Sequence, residues 1–135
     1  MQIPISLWAA WGIYSQPIRY RSLFPHNEAR KQANQYRQAC AEHSVEPTAV
    51  AIRRDIFVGR TSQEAATVKE AYMSRGYRGF AEDAFMVGSV AEVADQMQAF
   101  ADDGFTDIIV RNMSSDQSQA LATIERLAEV RDLLS

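Results

Sequence analysis

The segment Val87–Leu134 limits what this chain can fold into more than any other part of it. Ser89 followed by Glu92 is a capping box, in which the hydroxyl accepts from the third helical amide and the carboxylate reaches back to the cap. It predicts a helix carrying Val90, Val93, Ala94, Met97, Phe100 and Ala101 on one face. Asp102-Asp103-Gly104 stops that helix, because Gly104 suits the left-handed residue that follows many helix ends. Phe105–Arg111 then reads as a strand with the apolar centre Ile108-Ile109-Val110. A strand apolar on both sides predicts that both faces are covered, as in parallel sheets. Ser115 or Asp116 caps a last helix with the stripe Leu121, Ile124, Leu127, Ala128 and Leu134. Helix, glycine turn, strand and helix form the repeating step of an α/β fold.

The upstream pattern agrees. Asn27 is a candidate N-cap for a helix whose stripe is Ala29, Ala33, Tyr36, Cys40 and His43, and Pro47 ends any continuation. Thr48–Gly59 reads as a strand. Ala51, Arg53, Asp55 and Phe57 would face one way, and Ile52, Arg54, Ile56 and Val58 the other. Thr61 and Glu64 form a second capping box, starting a helix that runs to about Ser74 and stops at Gly76. Gly76–Asp83 is a loop rich in aromatic and charged residues. Near the start, Ile3–Ala10 is an apolar run consistent with a buried strand, although periodicity alone does not separate it from a helix. Trp11–Pro25 is the least regular stretch. The expectation is an α/β protein with about three parallel strands and flanking helices.

At 135 residues, 47% hydrophobic and 23% charged, the chain has the composition of one globular domain spanning 1–135. A formal net charge of -3 argues against nucleic acid and anionic membranes, both of which call for a concentrated basic face. The basic residues Arg19, Arg21, Arg30 and Lys31 are interrupted and read as solvated surface. One cysteine, Cys40, excludes an internal disulfide and reads as a core thiol rather than a nucleophile. His26 and His43 are not spaced to share a metal on one helical face. The N-terminus has neither the basic start and cleavage site of a signal peptide nor the length of a membrane span, so a cytoplasmic protein is expected.

No glycine-rich phosphate loop, nucleophile elbow or Cys-x-x-Cys motif is present. Candidate residues therefore come from position. Ligands of α/β sheets and barrels sit at the C-terminal ends of strands. That rule selects Arg111 and Asn112, and Phe57, Val58, Gly59 and Arg60. Arg111 suits a phosphate or another anion, against the more ordinary reading of a salt bridge to a loop carboxylate. Arg53 and Asp55 read first as a structural pair and second as a polar interior. Ser114-Ser115-Asp116 suits an anion at a helix N-terminus, though ordinary capping accounts for it better. The loop Gly76-Tyr77-Arg78-Gly79-Phe80 reads equally as a substrate lid or as packing.

Four segments, taken in order, resemble the C-terminal end of luciferase-like monooxygenases. They are Ala51–Val58, Gly76–Phe80, Val87–Ala94 and Asp107–Arg111; Val87-Gly88-Ser89 followed by Phe100–Phe105 is the most specific part. The resemblance runs from about Asn27 to Ser135 and leaves 1–26 as a poorly matched leader. It implies part of a (β/α)8 TIM barrel and an FMN or deazaflavin cofactor. It also implies oxidation of a small organic substrate, and a dimer. Arg111 and Asn112 are the positions it leaves nearest the cofactor. Two features depart from the family pattern: the chain is less than half the usual length, with the N-terminal strands and the Gly-Gly phosphate turn missing, and Asn112 stands where many relatives have a His. Val90 replaces a common proline. Three strands cannot close an eight-stranded barrel. The exposed interior then calls for self-association, so a homodimer or higher oligomer is expected, and the alternative to an enzyme is a non-catalytic remnant or self-associating α/β module without flavin turnover.

Overall fold

The computed structural model describes residues 25–77 and 82–135. Helix α1 spans His26–Glu42, strand β1 Ala51–Gly59 and helix α2 Ser62–Met73. A short 3-10 turn, Glu82–Ala84, leads into β2, Phe85–Ser89. Helix α3 (Val90–Asp102), strand β3 (Asp107–Asn112) and helix α4 (Gln117–Leu134) complete the chain. The apolar run Ile3–Ala10 lies outside the described residues. The third strand is β2, and it takes in Val87-Gly88-Ser89, which the sequence pattern assigned to the opening of a helix. Five residues ending in a helix cap leave too little alternation to announce a strand.

All strand pairs are parallel, in the order β2-β1-β3. In a barrel run strictly in chain order β2 would be central; here β1 is. From β1 the chain moves through α2 to one neighbour, and from β2 it returns through α3 to the other side. Right-handed crossovers in opposite directions place their helices on opposite faces. The packing shows this division. Ile52, Ile56 and Val58 of β1 and Met86 of β2 share a core with Ala29 and Ala33 of α1, Val93, Ala94 and Phe100 of α3, and Val130 of α4. Phe57 and Phe85 point the other way, into a second core with Ala65 of α2, Ala84 and Met113, flanked by Val68, Tyr72 and Tyr77. The two faces of β1 are thus the alternating sets that its sequence predicted.

Local signals explain most boundaries. The Ser89 and Glu92 capping box forms with both of its bonds. At α2 the Thr61 hydroxyl accepts from the Glu64 amide, but the Glu64 carboxylate accepts from the Arg60 amide, one residue before the cap. Helix α1 begins one residue before Asn27, after Pro25, and Asn27 uses its side-chain oxygen on the Glu28 amide instead. Gly76 and Gly104 adopt the positive φ values of 66° and 85° that end α2 and α3. Cys40 is fully buried, whereas His43 is exposed at the end of α1.

Two expectations of burial fail. Leu121, Ile124 and Leu134 are exposed; of the predicted stripe Leu127 packs on the core, and α4 turns Thr123 and Val130 inward beside it. Strand β1 outruns β3: Ile56 is level with the last residue of β3, Asn112, so Val58 has no strand beside it there. Its amide donates to the Thr123 hydroxyl at 3.3 Å, and Arg126 donates to its carbonyl at 2.8 Å. A buried backbone pair without partners would cost more than a few apolar contacts return, so polar residues set the rotation of the helix. β3 itself is an edge strand among the described residues, with Ile109 57% and Val110 38% exposed, so its two faces are not both covered.

Candidate functional site

The face of the sheet under α2 gathers charge and aromatic rings around Asp55. This aspartate is completely buried in the middle of β1. Its Oδ2 accepts from the Tyr77 hydroxyl at 2.6 Å, while Oδ1 accepts no hydrogen bond. Arg53, two residues back on the same face, comes no closer than 3.9 Å to Oδ1. The expected Arg53–Asp55 pair therefore exists as a loose ionic contact. The stronger partner, Tyr77, comes from the loop after α2. Burial pushes the Tyr77 hydroxyl above its ordinary range, and the hydrogen bond to Asp55 adds to this; nearby Arg111 acts in the opposite direction.

Tyr77 also stands edge-on to Tyr72 and to Phe85, with ring centroids 5.6 and 5.2 Å away. The Tyr72 hydroxyl donates to Ser114 Oγ at 3.3 Å and accepts from the Ser115 amide at 3.2 Å. Once ionised, the phenolic oxygen would accept from the Ser114 hydroxyl, and this is the main reason its pKa lies below the usual tyrosine value. The aromatic line thus ties α2 to the segment after β3.

Arg111 and Asn112 part company. Arg111 lies opposite Asp55 in the register of the β1–β3 pair, on the same face and half-buried. Its guanidinium forms no hydrogen bond or ion pair among the described residues, so the expected salt bridge to a loop carboxylate is not among their contacts. Asn112 is occupied. Its amide donates to the Ala120 carbonyl at 3.0 Å and its oxygen accepts from the Ser114 amide at 3.1 Å, locking the turn into α4.

The N-terminus of α4 is satisfied internally. Asp116 accepts from the Gln119 amide, and Ser114 Oγ accepts from the Asp116 amide while donating to Gln119 Oε1. Capping thus accounts for Ser114-Ser115-Asp116. Of the residues selected at the C-terminal end of β1, Phe57 and Val58 lie within the strand as buried core, and Arg60, just after it, is exposed. In the aromatic loop only Gly76 and Tyr77 are described; Arg78, Gly79 and Phe80 lie outside the described residues. No group of three or more His, Cys, Asp or Glu residues is arranged to hold a metal among the described residues.

On the opposite face lies a second buried charge. Arg54 is 1% exposed, its guanidinium 5.0 Å from the centre of the Phe100 ring. Nη1 donates to the Arg53 carbonyl, but Nε and Nη2 have no partner. Burial lowers its pKa to about 10, with Asp83 opposing the shift.

This arrangement can be set beside known proteins. No family model and no curated protein matches the chain. Among solved structures it is similar to the monooxygenase RslO1 from Streptomyces bottropensis, with 19% identity and a TM-score of 0.59. The two share a fold. The match covers 81% of this chain and 38% of that one. At that identity the likeness describes the parallel α/β architecture and carries no residue roles across. No helix among the described residues is long and apolar enough to cross a membrane.

Proposed function

We propose that this chain is part of a flavin-dependent oxidoreductase of the luciferase-like type, acting on a small organic substrate. The observation that carries the reading is Arg111. It is a permanent cation without a partner among the described residues, near the C-terminal end of β3, where ligands of α/β sheets bind. The shared architecture with a monooxygenase supports it at the level of fold. The residues fit a flavin or deazaflavin. Arg111, with Arg53 below it on the same face, suits an anionic group, and Tyr72, Tyr77 and Phe85 offer an aromatic wall. A bound flavin would supply the redox chemistry, and these side chains would hold and orient it.

Titration of FMN and of the deazaflavin coenzyme into the purified chain, followed by flavin fluorescence, tests this. Saturable quenching that weakens about tenfold in Arg111→Ala is expected, which is the loss of one charge-assisted contact. Absence of quenching at high micromolar flavin would overturn it.

The exposed Ile109, Val110, Leu121 and Ile124 favour a second reading, a self-associating module without flavin turnover. An edge strand with one open side can pair with its own copy about a two-fold axis, which makes a homodimer the form to look for. Light scattering that gave a monomer at micromolar concentration would remove this reading.

A further inference from the structure

We propose that the open edge of β3 pairs with the same edge of a second copy, antiparallel about a two-fold axis at Ile109. Asp107 of each copy then meets Arg111 of the other. The inference rests on the self-association reading above and specifies its register.

The backbone restricts that register. The Thr106 amide donates to the Val50 carbonyl, and the pairing with β1 then runs unbroken from Asp107 to Asn112. Backbone groups of successive residues point to alternate sides of a strand, so Asp107, Ile109 and Arg111 turn their N–H and C=O groups away from β1. No strand receives them among the described residues. Two antiparallel copies centred on Ile109 set Ile109 against Ile109, and Asp107 against Arg111. Each of these is a hydrogen-bonded pair, so the outward groups of all three residues are satisfied together.

The side chains select a second copy as the occupant. Asp107, Ile109 and Arg111 share one face of the strand. Asp107 is exposed and accepts from the neighbouring Thr106 hydroxyl, and Arg111 forms no hydrogen bond or ion pair among the described residues. The order acid, apolar, base is complementary to its own reverse. Charge is therefore matched twice, on either side of an Ile109 pair that lies exposed in the single chain. On the other face Val110, also exposed, meets Ile108 of the second copy. In-register parallel pairing would instead set Asp107 against Asp107 and Arg111 against Arg111, like charges directly opposite. Flavin bound at Arg111 and this dimer are alternatives for one side chain.

Light scattering on the full chain through the micromolar range reads the dimer. Asp107→Arg sets cation against cation at both ends of the pairing, and Arg111→Glu sets acid against acid. Each is expected to weaken dimerisation at least about tenfold. Mixed in equal amounts the two variants are complementary, and the dimer mass should return. Circular dichroism confirms that each folds; if Arg111→Glu does not, Asp107→Arg and a spin label decide. The label is a nitroxide on Ile109→Cys, Cys40 being buried. Facing residues of a hydrogen-bonded antiparallel pair have Cα atoms about 5.5 Å apart, so the two labels should broaden each other's spectrum. The spectrum should sharpen on dilution with unlabelled chain. A dimer that Asp107→Arg leaves intact, or whose labels show no coupling, would overturn this register and leave self-association standing. A monomer throughout the range would overturn both.

Discussion

The Tyr77 hydroxyl donates to Asp55 Oδ2 across 2.6 Å and is the one hydrogen bond that the buried carboxylate receives among the described contacts. It joins the loop after α2 to the centre of the sheet. Tyr77→Phe keeps the ring against Tyr72 and Phe85 but leaves Asp55 without a donor. The expected loss is about 1–3 kcal/mol, the cost of stranding a buried acceptor rather than the smaller value of an average hydrogen bond. Urea unfolding of the two proteins measures it. A loss below about 0.5 kcal/mol would mean that Arg53 moves in to replace the phenol.

The same contact predicts a pH dependence. Folding raises the pKa of Tyr77 above its ordinary 10.0, so the stability it contributes is fully present below that pH. As pH rises past 10, the unfolded chain loses the phenolic proton first and stability falls. The advantage of the wild-type chain over Tyr77→Phe should therefore narrow between about pH 10 and pH 11. In a spectrophotometric titration of the folded protein, both Tyr36 and Tyr77 should ionise late, and only the Tyr77 step should vanish in the variant. A constant stability gap through this range would contradict the assignment.

Arg54 makes the opposite kind of prediction. Its guanidinium is buried with two nitrogens unpaired, and its visible returns are a bond to the Arg53 carbonyl and the face of Phe100. Replacing an unsatisfied buried charge by an apolar side chain of similar length is often neutral or stabilising. Arg54→Met should raise stability by about 1–2 kcal/mol, read as a higher denaturant midpoint at unchanged slope. A loss of similar size would show that the stacked cation outweighs its desolvation.

These residues also show how far the sequence could be read. The helix signals were local and therefore legible: the Ser89 and Glu92 box and the glycine stops at Gly76 and Gly104 stand where the pattern placed them. The two faces of β1 followed from alternation. What stayed hidden depends on residues distant in sequence. No periodicity announces that β1 outruns β3, yet that overhang turns Thr123 inward and leaves Leu121 and Ile124 outside. Strand β2 is too short to show alternation. In the site, Arg111 was selected by the strand-end rule, but the same rule selected Asn112, whose amide is spent on the turn into α4. Tyr77 reaches Asp55 from 22 residues away, and nothing at either position alone reveals the pairing.

Gly59 ends β1 where the chain turns directly into α2, and this spacing sets how α2 approaches the sheet. A Cβ placed there would lie 2.8 Å from the Thr61 carbonyl oxygen and 2.9 Å from the Ala65 amide nitrogen. Both are backbone atoms, so the helix start itself would have to shift. Gly76 differs: its φ of +66° disfavours a side chain, but open space surrounds the added carbon. Gly76→Ala should cost about 1–2 kcal/mol, the strain of a left-handed L-residue. Gly59→Ala adds displacement of a packed helix and should cost about 2–3 kcal/mol or more. The two also separate in their effect on the site. Ala65 packs in the core that holds Phe57 and is flanked by Tyr72 and Tyr77. Moving α2 should therefore loosen the Tyr77–Asp55 contact and bring the Tyr77 ionisation back toward the ordinary range, leaving that of Tyr36 late. Thermal unfolding ranks the two variants, and the tyrosine titration reads the site. If Gly59→Ala were no less stable than Gly76→Ala and kept the late Tyr77 ionisation, α2 would have slack at its start, and the glycine would not be what positions the site.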